Sequence, residues 1–261
     1  MKIAVCAKYV PEATAARRID PSTKRLDRSG EGALNPFDAN AVEEALKLKD
    51  ETGPEAVEVV IVSVGPERAL EAMRRALAMG ADRVVLVSDE AVAGSDLVAT
   101  SRVLAAALEK ENPDLVLFGQ QASDGDGAVL WAAVADRLQR PLISQVAELE
   151  HTDGKVRGKR QTEFGYDVIE APVPAVIAVS DAINVPRYPA LKGIMGAKKK
   201  PQETLSLSDL GVSPDQAGEA GSRTTVEALN DPPARGDTVK LEDDGSAAEK
   251  IVEFLAEKKA L

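Results

Sequence analysis

The chain has 261 residues, 44% of them apolar but only 3% aromatic, enough for one large domain with an extension or two small domains whose packing rests on Ala, Val, Leu and Ile. A formal charge of -11 excludes a general nucleic-acid binder, because a phosphate backbone would be repelled. One cysteine, Cys6, leaves no internal disulfide and fits a reducing compartment, and one histidine, His151, leaves almost no material for a His-based metal site or a Ser-His-Asp triad.

In chain order, the first predicted strand is IAVCA at 3–7, running into Cys6, Ala7 and Lys8. The opening MKIAVCAKYV lacks a signal-peptide run, and no apolar segment reaches the roughly 20 residues that span a bilayer, so a cytoplasmic location is expected. RRIDPSTKRLD at 17–27 places a Pro-Ser turn between short alternations and reads as a sheet addition or flap. NPFDANAVEEALKL at 35–48 sets Asn35, Pro36, Phe37 and Asp38 before a helix over 40–51. A helix entry with a hydrophobic staple explains Pro36 and Asp38 but not Phe37, one of four phenylalanines.

Strands follow at 57–64, 82–88, 114–119 and 174–180, with helices over 66–80, 95–111 and 127–139. Residues 145–170 read as antiparallel strands around a turn at Asp153 and Gly154, and His151 reads as a solvated residue of that turn. Continuous apolar strands each followed by a helix indicate a parallel sheet covered on both faces. The expected fold class is α/β: a doubly wound, mostly parallel, Rossmann-like sheet of the adenine-nucleotide-binding kind, with antiparallel additions and an extended C-terminal arm. Its boundaries are expected as an α/β domain over 1–183, a recognition loop over 184–201 and an extension over 202–261.

In such a sheet the ligand crevice lies outside the carboxyl ends of the strands, where the strand order reverses. Three loops qualify: Cys6 to Lys8; Ser63, Val64, Gly65 and Pro66; and GQQASDGDG at 119–127. The third is the richest, because small residues leading into a helix N-terminus point free amides at an anion. Asp124 and Asp126 would oppose a bare phosphate, yet they can cap the helix, accept from a ribose hydroxyl or bind a cation. A plain glycine-rich turn with an Asp cap is the competing reading. Neither GxxxxGK[ST] nor GxGxxG occurs here, which excludes a P-loop.

After the last strand, NVPRYPALKGIMGAKKKP at 184–201 joins Pro186 and Pro189, apolar Leu191, Ile194 and Met195, and the run Lys198, Lys199 and Lys200. It reads as an exposed arm with an anchor, or as an ordinary basic surface loop. Beyond 201 the chain is rich in Ser, Asp, Gly and Pro, with DPPARG at 231–236. It ends in SAAEKIVEFLAEKK at 246–259, whose Ala247, Ala248, Ile251, Phe254 and Leu255 share one helical face and need a surface to pack on.

Taken in order, KIAVCAKYVP, NPFDANAVEEALKLK, ALAMGADRVVLV, DLVLFGQQASDGDG, NVPRYPALKGIMGAKKKP, LSDLGV and the DPPARG tail resemble the beta, or small, subunit of electron-transfer flavoprotein over nearly the full length. The resemblance implies a non-enzymatic half of a heterodimeric electron carrier whose redox-active FAD is held mainly by the alpha subunit. It implies a structural AMP held by this chain at Cys6, Ala7, Asn35, Pro36, Phe37, Asp38, Val64, Gly119, Gln120, Gln121, Ala122, Ser123, Asp124, Gly125, Asp126, Gly127, Ala128, Val129 and Leu130. Phe37 matches a residue near the flavin ring in that family.

The segment Arg187, Tyr188, Pro189, Ala190, Leu191, Lys192, Gly193, Ile194 and Met195 matches the family's recognition loop. The resemblance implies that Leu191 is the anchor on a partner such as an acyl-CoA dehydrogenase, and that electrons pass through the FAD to a quinone oxidoreductase. Family members often carry Thr or Asn, with Gln, where this chain has Gly127, Ala128 and Val129. Phosphate contact there must therefore come from backbone amides or Ser123. Bifurcating relatives hold a second FAD in place of AMP. An adenine-nucleotide hydrolase or ligase and a nucleotide-sensing module of the universal-stress type are the competing readings of the crevice.

Overall fold

A computed structural model describes residues 1–12, 14–234 and 240–260. The chain divides into two compact units, Met1–Val226 and Glu227–Leu261. The first holds strands β1 (Lys2–Cys6), β2 (Tyr9–Pro11), β3 (Ile19–Asp20), β4 (Arg25–Leu26) and β5 (Gly32–Leu34), then helix α1 (Pro36–Thr52), β6 (Glu58–Val64) and α2 (Ala69–Met79). It continues with β7 (Arg83–Val87), α3 (Leu97–Glu111), β8 (Leu115–Gly119), α4 (Leu130–Leu138), β9 (Leu142–Thr152), β10 (Lys155–Thr162), β11 (Gly165–Pro172) and β12 (Ala175–Val179). Last come α5 (Leu191–Ala197), β13 (Gln202–Leu205) and the one-turn α6 (Gly218–Gly221). The second unit contains α7 (Ala247–Glu257).

One sheet runs β11-β10-β9-β12-β8-β1-β6-β7-β13. From β9 to β13 every neighbouring pair is parallel, whereas β10 is antiparallel to both β9 and β11. The chain starts in the middle at β1, adds β6 and β7 on one side, then crosses to β8 and β12 on the other. That reversal at β1 opens a crevice beyond the carboxyl ends of the central strands.

The central strands are buried on both faces, which is why they read as unbroken apolar runs. Ile3, Val5, Ile61 and Leu117 pack with Val42, Met73 and Leu77 of α1 and α2, while Ala4, Cys6, Val60 and Val116 pack with Leu104, Leu108 and Val134 of α3 and α4. Asp96 caps α3 by accepting from the Ala99 amide at 2.9 Å. Asp153 and Gly154, at φ of 53° and 73°, make the turn between β9 and β10. His151 stands on β9 opposite Val156, just before that turn.

Three expectations change. α4 begins at Leu130 rather than 127, since Asp126 and Ala128 each take φ of 46° and keep the chain out of the helix. The 184–201 arm is not extended throughout, because 191–197 forms α5, packed against α2. The boundary placed after 201 falls inside the first unit, where β13 completes the sheet edge against β7. In the tail, DPPARG is described only to Ala234, and Arg235 and Gly236 lie outside the described residues. Helix α7 has no buried residue, with Ile251, Val252 and Phe254 all exposed.

Candidate functional site

The carboxyl ends of β1, β6, β7 and β8 surround a crevice of about 950 Å³. Of the residues expected from sequence, Cys6, Ala7, Asn35, Asp38, Val64, Gly119, Gln120, Gln121, Ala122, Gly125, Gly127, Ala128, Val129 and Leu130 line it. Pro36, Phe37, Ser123, Asp124 and Asp126 do not.

The wall is tied together by Asn35, which is fully buried. Its side chain does not cap α1. Instead its Nδ2 donates to the Gln121 carbonyl at 2.8 Å and its Oδ1 accepts from the Ser123 amide at 3.1 Å, while its own amide donates to the Lys8 carbonyl at 3.0 Å. One side chain thus joins the loops after β1 and β8 to the start of α1. Gly119 lets these backbones meet, because a Cβ there would overlap the Phe37 carbonyl group and come within 2.7 Å of an Asp38 carboxylate oxygen. That contact involves only the Phe37 backbone; its side chain is half-buried outside the crevice lining.

Asp124 neither caps α4 nor lines the crevice. Its side chain is 2% exposed and accepts from Lys8 Nζ at 2.8 Å and from Arg28 Nε at 2.8 Å. Burial alone would raise its carboxyl, but the hydrogen bonds and positive charges of Lys8 and Arg28 outweigh burial and hold it below the usual carboxylate range. Its negative charge is therefore answered inside the wall. Asp126 accepts from Gln121 Nε2 at 3.2 Å on the exposed side of the loop.

Asp38 lies deeper and accepts from the Lys8 amide at 2.8 Å. Burial pushes its carboxyl up to about 7, against the hydrogen bonds of Lys8, Asn35 and Gly119 and the Lys8 charge. Burial, then the neighbouring Asp38, pushes the Cys6 thiol well above its ordinary value, so Cys6 contributes a neutral wall.

Sequence reasoning missed part of the lining. The β7–α3 loop supplies Ser88, Asp89 and Ala93 to Asp96, although AVAGSD before a helix is the same strand-loop-helix signal used elsewhere. Trp131, the only tryptophan, lines the crevice and donates its Nε1 to the Gln120 carbonyl at 3.0 Å. Arg68 also lines it, 5.3 Å over the Tyr9 ring, with its guanidinium bound to the Ser29 and Arg28 carbonyls. Among the described residues no carboxylate pairs with Arg68, and no side chain caps α4. Asp89 and Asp96 turn their carboxylates to the backbone amides of Ala91, Leu207, Ala99, Arg223 and Thr224. A guanidinium, an uncapped helix start and an apolar floor suit an anionic ligand with an apolar part.

The segment after β12 is fixed at its base. Asn184 exchanges hydrogen bonds with Asn40, and Arg187 grips Glu43 at 2.8 Å through Nε and Asp50 at 2.9 Å through Nη2. Helix α5 then lies close to α2, and a Cβ on Gly193 would strike the Ala78 carbonyl. Leu191 and Met195 remain 74% and 71% exposed, and Tyr188 is 86% exposed. Lys200 leaves the cationic run, since its Nζ donates to the Leu77 and Ala81 carbonyls at 2.9 and 2.5 Å and so caps the end of α2.

A family model described as "Electron transfer flavoprotein domain" matches residues 23–210. The chain belongs to this family. It is 37% identical to the electron transfer flavoprotein subunit beta of Mycobacterium bovis over 263 residues, covering 99% of each chain. The subunit beta of Megasphaera elsdenii is 38% identical, over 99% of this chain and 97% of the relative. Subunit CarD of the caffeyl-CoA reductase-Etf complex of Acetobacterium woodii is 43% identical over 90% of both. The matched region of this electron transfer flavoprotein chain runs from the turn before β4 to just past β13 and so contains most of the crevice wall and the whole of 184–201. Among its described residues, no helix is long and apolar enough to cross a membrane.

Proposed function

We propose that this chain is the beta subunit of a heterodimeric electron-transfer flavoprotein, carrying no catalytic residue itself. It holds an AMP in the crevice and docks partner dehydrogenases, acyl-CoA dehydrogenases among them, through residues 184–201. Electrons enter and leave through an FAD borne mainly by the alpha subunit, toward a quinone oxidoreductase or another acceptor. The second unit, Glu227–Leu261, with the apolar face of α7, packs on that alpha subunit.

The observation that carries the reading is a crevice at which Asp38, Asp89, Asp96 and Asp124 are engaged by backbone amides or by Lys8 and Arg28, beside an α4 start that no side chain caps. Phosphate fits there, with Arg68 and the amides of 127–130 as its donors and Trp131 and Val64 as apolar neighbours. The crevice lacks the His or Cys residues that nucleotide hydrolysis by a covalent or metal route would draw on, apart from the neutral Cys6.

The crevice volume supports a second reading. At about 950 Å³ it stands at the upper end of small-molecule sites, and its lining continues past α4 to Leu97, Thr100 and Leu104 of α3. That extent favours a dinucleotide, so FAD replaces AMP in this alternative. Mass spectrometry of ligands released from the chain co-expressed with an alpha subunit separates the two. One FAD and one AMP per dimer supports the first, two FAD supports the second, and ATP turnover by the isolated chain overturns both.

A further inference from the structure

A second, smaller pocket of about 290 Å³ lies between α2 and the 188–198 segment, lined by Arg74, Arg75, Tyr188, Ile194 and Lys198 over a floor of Ala78 and Ala197. Three cations meet here in a chain whose acidic residues outnumber its basic ones by 43 to 32. Yet among the described residues none of Arg74, Arg75 and Lys198 forms an ion pair, although Arg187, a few residues away, holds two carboxylates. The Nε of Arg74 is buried without any hydrogen-bond partner. A buried donor left unmet costs about 1–3 kcal/mol, and the pocket lining that holds Arg74, Arg75 and Lys198 contains no acidic residue to offset them.

We propose that this pocket receives a carboxylate side chain from the surface of the redox partner. At about 290 Å³ the pocket has room for one or two side chains and not for a folded segment, and its three cations select an acidic one. The floor and the Ile194 wall are apolar, so a carboxylate inside it is partly withdrawn from water and feels the three cations strongly. The pocket borders Tyr188 and Met195, so the same docking event would seat Leu191 in an apolar socket and an acidic residue here. Apolar contact supplies adhesion, while the ion pair fixes the rotation of the partner about that anchor. The proposal rests on the reading of 184–201 as the docking segment and adds the chemistry of what docks beside it.

The test uses the co-expressed heterodimer as electron acceptor for a medium-chain acyl-CoA dehydrogenase, with KM for the heterodimer measured between 20 and 300 mM NaCl. Arg75→Gln with Lys198→Gln is expected to raise KM about tenfold at low salt and to flatten its salt dependence, as loss of close charge pairs at an interface does. Flavin content and melting temperature are read in parallel, and Arg75→Lys, which keeps the charge, should recover most of the loss. Amidation of the dehydrogenase carboxylates with carbodiimide and glycinamide should erase the difference between wild type and variant. A difference that survives amidation overturns the assignment to a carboxylate. An unchanged KM in the double variant while Leu191→Ala raises KM overturns the pocket but leaves the docking segment standing. If neither variant moves KM, both readings fall.

Discussion

Replacing Asp124 by Asn removes the charge that holds the crevice wall without changing its shape. The side chain is 2% exposed, whereas Lys8 and Arg28 keep 42% and 36% of theirs in water. Breaking a fully buried pair costs about 3–5 kcal/mol, but here both partners can rehydrate, which lowers the expected loss to about 2 kcal/mol. For a chain of this size that corresponds to roughly 4–8 °C in melting temperature. The measurement is thermal unfolding of the wild-type and Asp124→Asn chains, each co-expressed with the alpha subunit. The pH dependence supplies a second check. Asp124 has a folded-state carboxyl below its ordinary value, so its contribution is present above the unfolded value of about 3.9 and fades as pH falls through the lower folded value. The gap between wild type and variant should therefore be constant from pH 7 to about 5 and close in stronger acid. A shift under 1 °C at pH 7, or a gap that widens in acid, would refute the role given to this carboxylate.

Asp38 predicts the opposite slope. Its carboxyl is raised to about 7 by burial, so the favourable proton-bound state is fully present below the unfolded value and its stabilisation is lost as pH rises through about 7. Asp38→Asn should flatten that decline, and a carboxylic-acid infrared band that titrates near neutrality in wild type should be missing from the variant. Gly119→Ala forces a Cβ into the Phe37 backbone and should cost about 3 kcal/mol, the upper end for overpacking, while Gly125→Ala, which meets open space, should melt within a degree of wild type. Equal melting temperatures for the two would contradict the close approach. Arg68→Gln should lower nucleotide retained through gel filtration by roughly tenfold, as expected for one charge-assisted contact. Full occupancy in that variant removes Arg68 from the phosphate site.

The central strands were legible because burial on both faces leaves nothing but apolar residues, and β1, β6, β7, β8 and β12 fall within a residue of the runs read from sequence. β13 was not, since QETL is mostly polar and half-exposed, and only the open edge of β7 makes it a strand. Helix α5 was hidden for a different reason. LKGIMGA carries two glycines and follows Pro189, a composition that disfavours helix locally, but Gly193 is what allows the segment to approach the Ala78 carbonyl. Packing overrode propensity there. The loop at 119–127 was read as a ligand wall from its glycines, and its lining residues include Gly119, Gly125 and Gly127. What composition could not show is that Asp124 faces inward to Lys8 and Arg28, because those partners lie 116 and 96 residues away in sequence.

Helix α2 connects the two surfaces. Just before it Arg68 reaches the Arg28 and Ser29 carbonyls at the crevice rim, and at its far end Lys200 caps the Leu77 carbonyl beneath α5. Its 11 residues span about 16 Å, with Met73 and Leu77 fully buried along the way. A rod this short and this well anchored does not bend in proportion to events at one end. An occupied crevice should therefore steady the loops before α2 without reshaping the face at α5, which already has its own ties through Arg187 and Glu43. On this argument nucleotide removal lowers the melting temperature of the complex well before it changes KM for a dehydrogenase. A parallel rise in KM would mean that α2 transmits crevice occupancy, and the nucleotide would then be regulatory instead of structural.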